Sequence, residues 1–361
     1  MAPAAVAPTG ARTTTMALAP PRSEAPANLG AALTPRAFTG VCATQATPQL
    51  GYGALVPGAT WNDPVVLRTS TGWVMYASAS AGFGAPVQIY RLRSSDARTW
   101  TLSPPAPVLA PRGASRGVET PTVVVFGGRY HMFYTTYPGD NLPTTFTVGH
   151  ATSRDGVAWT VDTDALIRPT GAPLDWNGII VGEPGAAVVG STLHVYFTAV
   201  GVDPALGATS QVIGLVTSRD GVTFSAPRLA LAPDRARLPR AAGWVGYSTP
   251  QPVVIDGVVH LFTDVASDAP DPRFLESWLQ VALAHASSVD GVTGWKADPT
   301  FFQVRGAPAW TTREVRSVTP VLDGNVLRLW WAGDQLYQLV DGQPQWDVRQ
   351  WGIGASTCLL Q

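Results

Sequence analysis

The chain has 361 residues, 45% of them hydrophobic and only 14% charged, with 36 Gly, 32 Pro and 13 Trp. Such a composition is rich in turns and aromatics and poor in the Lys and Glu that favour helices, which points to an all-β protein. A formal net charge of −1 gives no electrostatic footprint for nucleic acid, and no apolar run of about 20 residues is present to span a membrane.

Residues 1–36 are mostly Ala, Pro and Thr and cannot bury enough surface to offset the entropy of ordering, so they read as a disordered leader or linker. Met1-Ala2-Pro3-Ala4 supplies neither the basic start nor the continuous apolar core of a secretory signal. The folded domain is expected over residues 37–361. Cys42 opens it and Cys358 lies near its end, so a bridge between them would clasp the domain and imply an exported location, secreted or periplasmic. Two unrelated buried thiols are the alternative.

From Trp61 onward the chain repeats itself. Trp61-Asn62-Asp63-Pro64 runs into Val65-Val66-Leu67. Related entries into β-branched or apolar runs follow at Val118-Glu119-Thr120-Pro121, Gly182-Glu183-Pro184, Ser248-Thr249-Pro250 and Val318-Thr319-Pro320. A glycine turn closes each first strand, at Thr71-Gly72, Gly127-Gly128, Val189-Gly190, Asp256-Gly257 and Asp323-Gly324, because glycine reaches the positive φ that tight hairpins need. A second, aromatic-rich strand returns, as in Tyr130-His131-Met132-Phe133-Tyr134. A third ends in a Ser-x-Asp turn with a following aromatic: Ser94/Asp96/Trp100, Ser153/Asp155/Trp159, Ser218/Asp220/Phe224 and Ser288/Asp290/Trp295. There the hydroxyl and carboxylate are expected to bond nearby backbone N–H groups. His131, His194 and His260 share one repeat position and His150 and His285 another, so they read as scaffold.

Four strands per unit and a period near 57 to 70 residues describe a β-propeller blade, and five copies predict a five-bladed β-propeller with four-stranded blades. The fifth unit ends after Arg349–Ser356. Its missing outer strand is expected from Phe38–Ala46, so that the N-terminal strand completes the fifth blade.

First strands line a propeller's axis, so Asp63, Glu119 and Glu183 converge at one mouth. Carboxylates crowded there repel one another, and at least one should hold its proton near neutral pH, the acid and base pairing that glycosidic cleavage needs. The bland alternative is that an acid before proline only caps the turn, yet the fourth and fifth copies offer Thr249 and Thr319 instead. Glu314 is a further candidate. Trp61, Trp176, Trp244 with Tyr247, and Trp310 lie in loops leading into first strands, where indole faces could stack on sugar rings. Asn62, Asp175, Asn177 and Arg116 could bond hydroxyls.

The Trp61-Asn62-Asp63-Pro64 entry, the acidic strand starts and the Ser-x-Asp-Gly turns resemble the five-bladed propeller glycosidases, the arabinanase and β-xylosidase group of family 43 and its relatives the invertase and levansucrase-like fructosidases. The resemblance spans residues from about 38 to 361. It implies hydrolysis of arabinose-, xylose- or fructose-containing glycans, with Asp63 as base or nucleophile, Glu183 as general acid and Glu119 as the group that tunes it. A glycan-binding propeller without catalysis and a sialidase-like hydrolase are the competing readings. The expected partner is an oligosaccharide or polysaccharide, the expected state a monomer. No cofactor is expected, and no motif supports a structural or axial Ca2+.

Overall fold

The computed structural model describes residues 36–81, 85–138, 145–270, 278–334, 339–340, 343–344 and 351–361. The proposed leader, apart from residue 36, lies outside them, as do Arg349 and Gln350 of the expected last strand.

The regular structure of the described residues is almost all strand. β1 (Phe38–Thr44) is followed by β2 (Thr60–Thr69), β3 (Gly72–Ser80), β4 (Gln88–Ser94) and β5 (Thr101–Leu102), then by β6 (Ser115–Phe126), β7 (Arg129–Pro138), β8 (Thr147–Ser153) and β9 (Thr160–Ile167). Next come β10 (Ile180–Val189), β11 (Thr192–Asp203), β12 (Ala208–Ser218) and β13 (Arg228–Leu231), then β14 (Trp244–Ile255), β15 (Val258–Ser267), β16 (Leu279–Ser288), β17 (Lys296–Ala297) and β18 (Gln303–Val304). The chain ends with β19 (Glu314–Asp323), β20 (Val326–Asp334), the short pair β21 (Leu339–Val340) and β22 (Gln343–Pro344), and β23 (Trp351–Leu360).

These strands form antiparallel sheets in the orders β2-β3-β4-β5, β6-β7-β8-β9 and β1-β23-β20-β19. A nine-stranded sheet joins the β10–β13 and β14–β18 groups through one parallel bridge, Gln211 to Gly246. The expected hairpin glycines do their work: Gly72, Gly127, Gly128, Gly190, Gly257 and Gly324 all have positive φ. Each sheet buries its faces against its neighbours. Val65, Tyr76 and Ile89 meet Val123, Met132 and Tyr134 in one cluster, whereas Trp73, Met75 and Leu92 meet Trp330, Ile353 and Ala355 in another, so the last sheet packs on the first. β2, β6, β10, β14 and β19 touch one another in that order, and β19 touches β2.

The donated strand is where the sequence places it. β1 pairs antiparallel with β23, Cys42 lies opposite Cys358, and the two form a disulfide across 316 residues of chain. Arg36 fastens the entry by ion-pairing with Asp256 and donating to Gly324 O and Asn325 Oδ1. The Ser-x-Asp turns also form as expected: in the first, Ala97 N–H donates to Ser94 Oγ, and the N–H groups of Arg98 and Thr99 donate to Asp96 Oδ1. Those backbone donors hold the Asp96 carboxyl below the usual carboxylate range.

All five histidines are buried scaffold. His131 and His150 stack with Nδ1 and Nε2 3.0 Å apart, and His260 and His285 repeat the arrangement at 2.9 Å. The outer ring of each pair faces a carboxylate, Asp162 or Asp298.

One repeat copy is corrected. β2, β6, β10 and β14 each carry a two-residue bulge, whose first residue has φ of 46–49°: Asp63, Thr120, Glu183 and Thr249, each before a proline. In β19 the bulge falls between Arg316 and Thr319, and the positive-φ residue is Ser317 at 56°. The expected Thr319 is already back in register opposite Trp330. Val318 occupies the place of the earlier prolines, and Pro320 is a decoy further along the strand.

Candidate active site

The bulges explain how the strand ends are held. A residue with positive φ turns its N–H out of the ladder, and a buried N–H needs an acceptor. The preceding sheet supplies one from its second strand: Thr120 N–H donates to Ser78 Oγ at 2.9 Å, Glu183 N–H to Thr135 Oγ1 at 2.7 Å, and Thr249 N–H to Thr198 Oγ1 at 2.8 Å. Ser317 N–H donates to Asp264 Oδ1 at 2.8 Å. The matching residue for Asp63 is Ala332, which offers no acceptor, and Asp63 N–H instead takes Asn62 Oδ1 at 2.9 Å.

Around this belt the three expected acids come together. Asp63 is buried, and its Oδ1 accepts from Ser317 Oγ at 2.6 Å and lies 3.9 Å from Arg316 Nε. Glu183 accepts from Arg316 Nη2 at 2.9 Å on Oε1 and from Thr198 Oγ1 at 2.8 Å on Oε2. Glu119 sits one residue before its bulge, at the register position of Asn62, Gly182, Ser248 and Arg316. Burial first, and then the charges of Asp63 and Glu183, push its carboxyl up to about 8, against the pull of Arg316. Thus one carboxyl keeps its proton at neutral pH beside two that face a guanidinium.

Besides Ser317, three neighbours escaped the sequence reading. Burial opposes the charge on Arg316, but Asp63, Glu183, Glu314 and Asp264 outweigh it and raise its pKa. Its guanidinium carbon lies 5.9 Å from the centre of the Trp351 ring. Tyr137 lies near enough that burial, and then Glu119 and Asp63, raise its phenol. Its ring stacks on Phe146 at 4.9 Å, and only glycine fits at 117, since a Cβ there would lie 2.1 Å from the Tyr137 hydroxyl. Asp264 is the third. Arg316 would have been visible as the counterpart of Glu119 had the fifth copy been aligned on its bulge and not on Pro320.

The expected sugar-binding residues divide. Trp61 is fully buried, with Nε1 donating to Ala54 O and its ring edge-on to Tyr90, so it is a core residue and presents no stacking face. Tyr247 is buried in the cluster formed by the β10–β13 and β14–β18 groups. Trp310 lies flat on Trp331 at 4.9 Å and packs against that neighbour. Glu314 is buried, ion-paired to Arg313 at 3.1 Å and accepting from Gln280 N–H, which makes it structural. Trp176 is half-buried against Phe197 and Trp244 half-buried against Phe301, and each keeps part of its surface open. Arg116 is exposed at the start of β6 and Asn62 is half-buried beside Asp63. Among the described residues, no three His, Cys, Asp or Glu side chains are arranged to hold a metal ion.

Comparison with known proteins bears on the same strands. Residues 118–229 match the N-terminal domain of glycosyl hydrolases family 32. That stretch carries Glu119 and Glu183. Sucrose-6-phosphate hydrolase of Escherichia coli is 33% identical over 118 residues, which make up 31% of this chain and 23% of that protein, so the match spans about a quarter of that relative's length. Among solved structures, a thermostable family-43 glycoside hydrolase superposes with a TM-score of 0.60 at 13% identity, covering 82% of this chain and 89% of its own. The catalytic domain of a family-62 α-L-arabinofuranosidase from Coprinopsis cinerea gives 0.59 at 14%, covering 88% and 96%. The fold is that of the propeller glycosidases.

Proposed function

We propose that residues 37–361 form a five-bladed β-propeller glycoside hydrolase, exported and monomeric, whose active centre is Asp63, Glu119 and Glu183. The cyclic contact of β2, β6, β10, β14 and β19 supports the blade count, and the disulfide supports an oxidising compartment. The observation that carries the reading is the Glu119 carboxyl, pushed up to about 8 beside Asp63 and Glu183. Glycosidic cleavage needs a carboxyl that still has a proton to give next to one that has none. Glu119 then donates to the departing glycosidic oxygen, and Asp63 attacks the anomeric carbon or takes the proton of the water that does.

Resemblance alone makes Glu183 the acid. Each oxygen of Glu183 already accepts from a donor, Arg316 or Thr198, an arrangement that suits an orienting group. Glu183 with Arg316 therefore orients the site and tunes it, and Glu119 takes the acid's part. The substrates proposed are arabinose-, xylose- or fructose-containing glycans, the first and last supported by likeness to an α-L-arabinofuranosidase and a sucrose-6-phosphate hydrolase, with Asn62, Arg116, Trp176 and Trp244 as contacts. The test is a screen of purified protein against nitrophenyl glycosides and plant polysaccharides. Release of product that Asp63→Asn eliminates is expected. A wild-type protein that binds an oligosaccharide, cleaves none of the panel and is indifferent to Asp63→Asn would instead be a glycan-binding propeller.

A further inference from the structure

Three sheets hold the next bulge with a hydroxyl from their second strand, Ser78, Thr135 or Thr198, but the β14–β18 group uses a carboxyl, Asp264. Asp264 lies mid-strand in β15 and is wholly buried, as a carboxyl almost never is unless it is paired. Its Oδ1 takes the Ser317 N–H at 2.8 Å, while its Oδ2 and the nearby Thr249 hydroxyl are buried without a hydrogen-bond partner among the described residues. Ser317 in turn gives its own hydroxyl proton to Asp63 Oδ1 at 2.6 Å. Both links are buried, with Asp264 at 0%, Ser317 at 2% and Asp63 at 3% exposure. Asp63 is the one bulge residue whose N–H finds no acceptor on the preceding sheet, so its carboxylate is steadied through the side chain and not through the backbone.

We infer that Asp264 is a positioning residue that acts through Ser317 to fix the orientation of the Asp63 carboxylate. Ser317 holds a left-handed conformation that a residue with a Cβ adopts reluctantly. Without an acceptor its N–H would be orphaned and the bulge would relax. The Ser317 hydroxyl would then lose its line to Asp63. The carboxylate, freed on that side, would turn toward Arg316 Nε, now 3.9 Å away. A reacting group misplaced by about 1 Å can lose about 10²-fold in rate. Burial above all, helped by the Glu183 charge and opposed by Arg316, raises the Asp264 carboxyl well above the ordinary range. A carboxyl that keeps its proton has the shape of a carboxamide, so asparagine should reproduce its hold on Ser317.

This inference rests on the reading of Asp63 as base or nucleophile, and its test must separate the two. The experiment records the Asp63 side-chain 13C resonance and kcat in Asp264→Val, Asp264→Asn, Ser317→Ala and the Asp264→Val/Ser317→Ala double variant. Valine has the outline of the threonines that β7 and β11 use at this position. Expected is the same displaced Asp63 resonance in Asp264→Val and Ser317→Ala and an unmoved one in Asp264→Asn. With it should come a fall in kcat of about 10²-fold at little changed KM, no greater in the double variant than in either single one. Asparagine should stay within about threefold of wild type. An unmoved Asp63 resonance in a folded Asp264→Val protein overturns the inference, as do losses that multiply in the double variant. Should the valine variant not fold, the other two singles decide: asparagine must leave Asp63 where it is while Ser317→Ala moves it, and the reverse overturns the inference. Should the wild-type protein cleave nothing, the functional reading falls, and the resonances still decide the positioning.

Discussion

The bulge of β2 and the bulge of β19 are one device built with different chemistry. Both turn a residue to positive φ, both press against the axis, and each lies beside the other. In β2 the turned residue is Asp63, preceded by Asn62 and followed by proline. In β19 it is Ser317, preceded by Arg316 and followed by Val318. Since Thr120, Thr249 and Ser317 meet the same backbone demand with hydroxyls, the fold asks for positive φ and an acceptor, and nothing in it asks for an acid. Asp63 and Glu183 are therefore surplus to the scaffold. β19 supplies what they lack: a cation for both and a hydroxyl donor for Asp63. Thus β2 and β10 present acids, and β19 aims them.

Breaking the β2 side should cost most. Asp63→Asn keeps the shape but can neither attack nor accept a proton, and turnover should fall by about 10⁴-fold or more with the melting temperature and glycan binding retained. Single-turnover assays with binding measured on the same sample would show it. Next comes Glu119→Gln, expected to cost about 10²–10⁴-fold on substrates with poor leaving groups and far less on activated aryl glycosides, which depart without a proton. The same variant should be more stable than wild type above pH 5. Glu119 titrates at about 8 in the folded protein against an ordinary value near 4.5 when unfolded, so the folded state binds its proton more tightly and loses stability as pH rises between those values.

Removing the β19 cation should shift the profile more than it lowers the rate. Arg316 holds Glu119 down, so in Arg316→Gln the basic limb of the pH–rate profile should move up, by about one pH unit. A limb that moves down or stays would detach Arg316 from the acid. The smallest effect lies far from the axis, in the stacked histidines. Burial holds His150 down at about 3 and His260 at about 4, with the facing imidazole adding to it. Depressed folded values mean that the unfolded chain takes up protons first, so stability is full above pH 6.5 and falls as pH drops below it. Each ring should cost about 1.4 kcal/mol per pH unit over that window. Chemical denaturation at pH 7, 6 and 5 would read the slope, which His150→Phe should reduce.

How far the sequence revealed this follows from the kind of signal each feature leaves. Glycines at tight turns, the Ser-x-Asp turns and the strand donated by Phe38–Thr44 are local or stoichiometric facts, and they were legible. So was the pairing of Cys42 with Cys358, because a unit short of one strand must borrow it. Asp63 showed itself by standing where other copies have hydroxyls. Ser317 and Arg316 were hidden by Pro320, which mimics the repeat's proline three residues beyond the true bulge. Asp264 was hidden because a polar residue inside Val258–Ser267 reads as the solvent face of a strand, and only its register against Ser248 brings it to the axis. The direction of a side chain was the least legible of all. Trp61 and Trp176 both read as loop residues leading into a first strand, yet one is sealed in the core within β2 and the other is partly open.

The claim on which the account turns is that Glu119 carries the proton. Titration of its side-chain carboxyl by 13C NMR in the intact, oxidised protein, followed from pH 3 to pH 10, tests it without a substrate. The expected midpoint lies near 8 and falls in Asp63→Asn because a neighbouring negative charge is gone. A midpoint in the ordinary carboxylate range near 4.5, unmoved by that substitution, would contradict it.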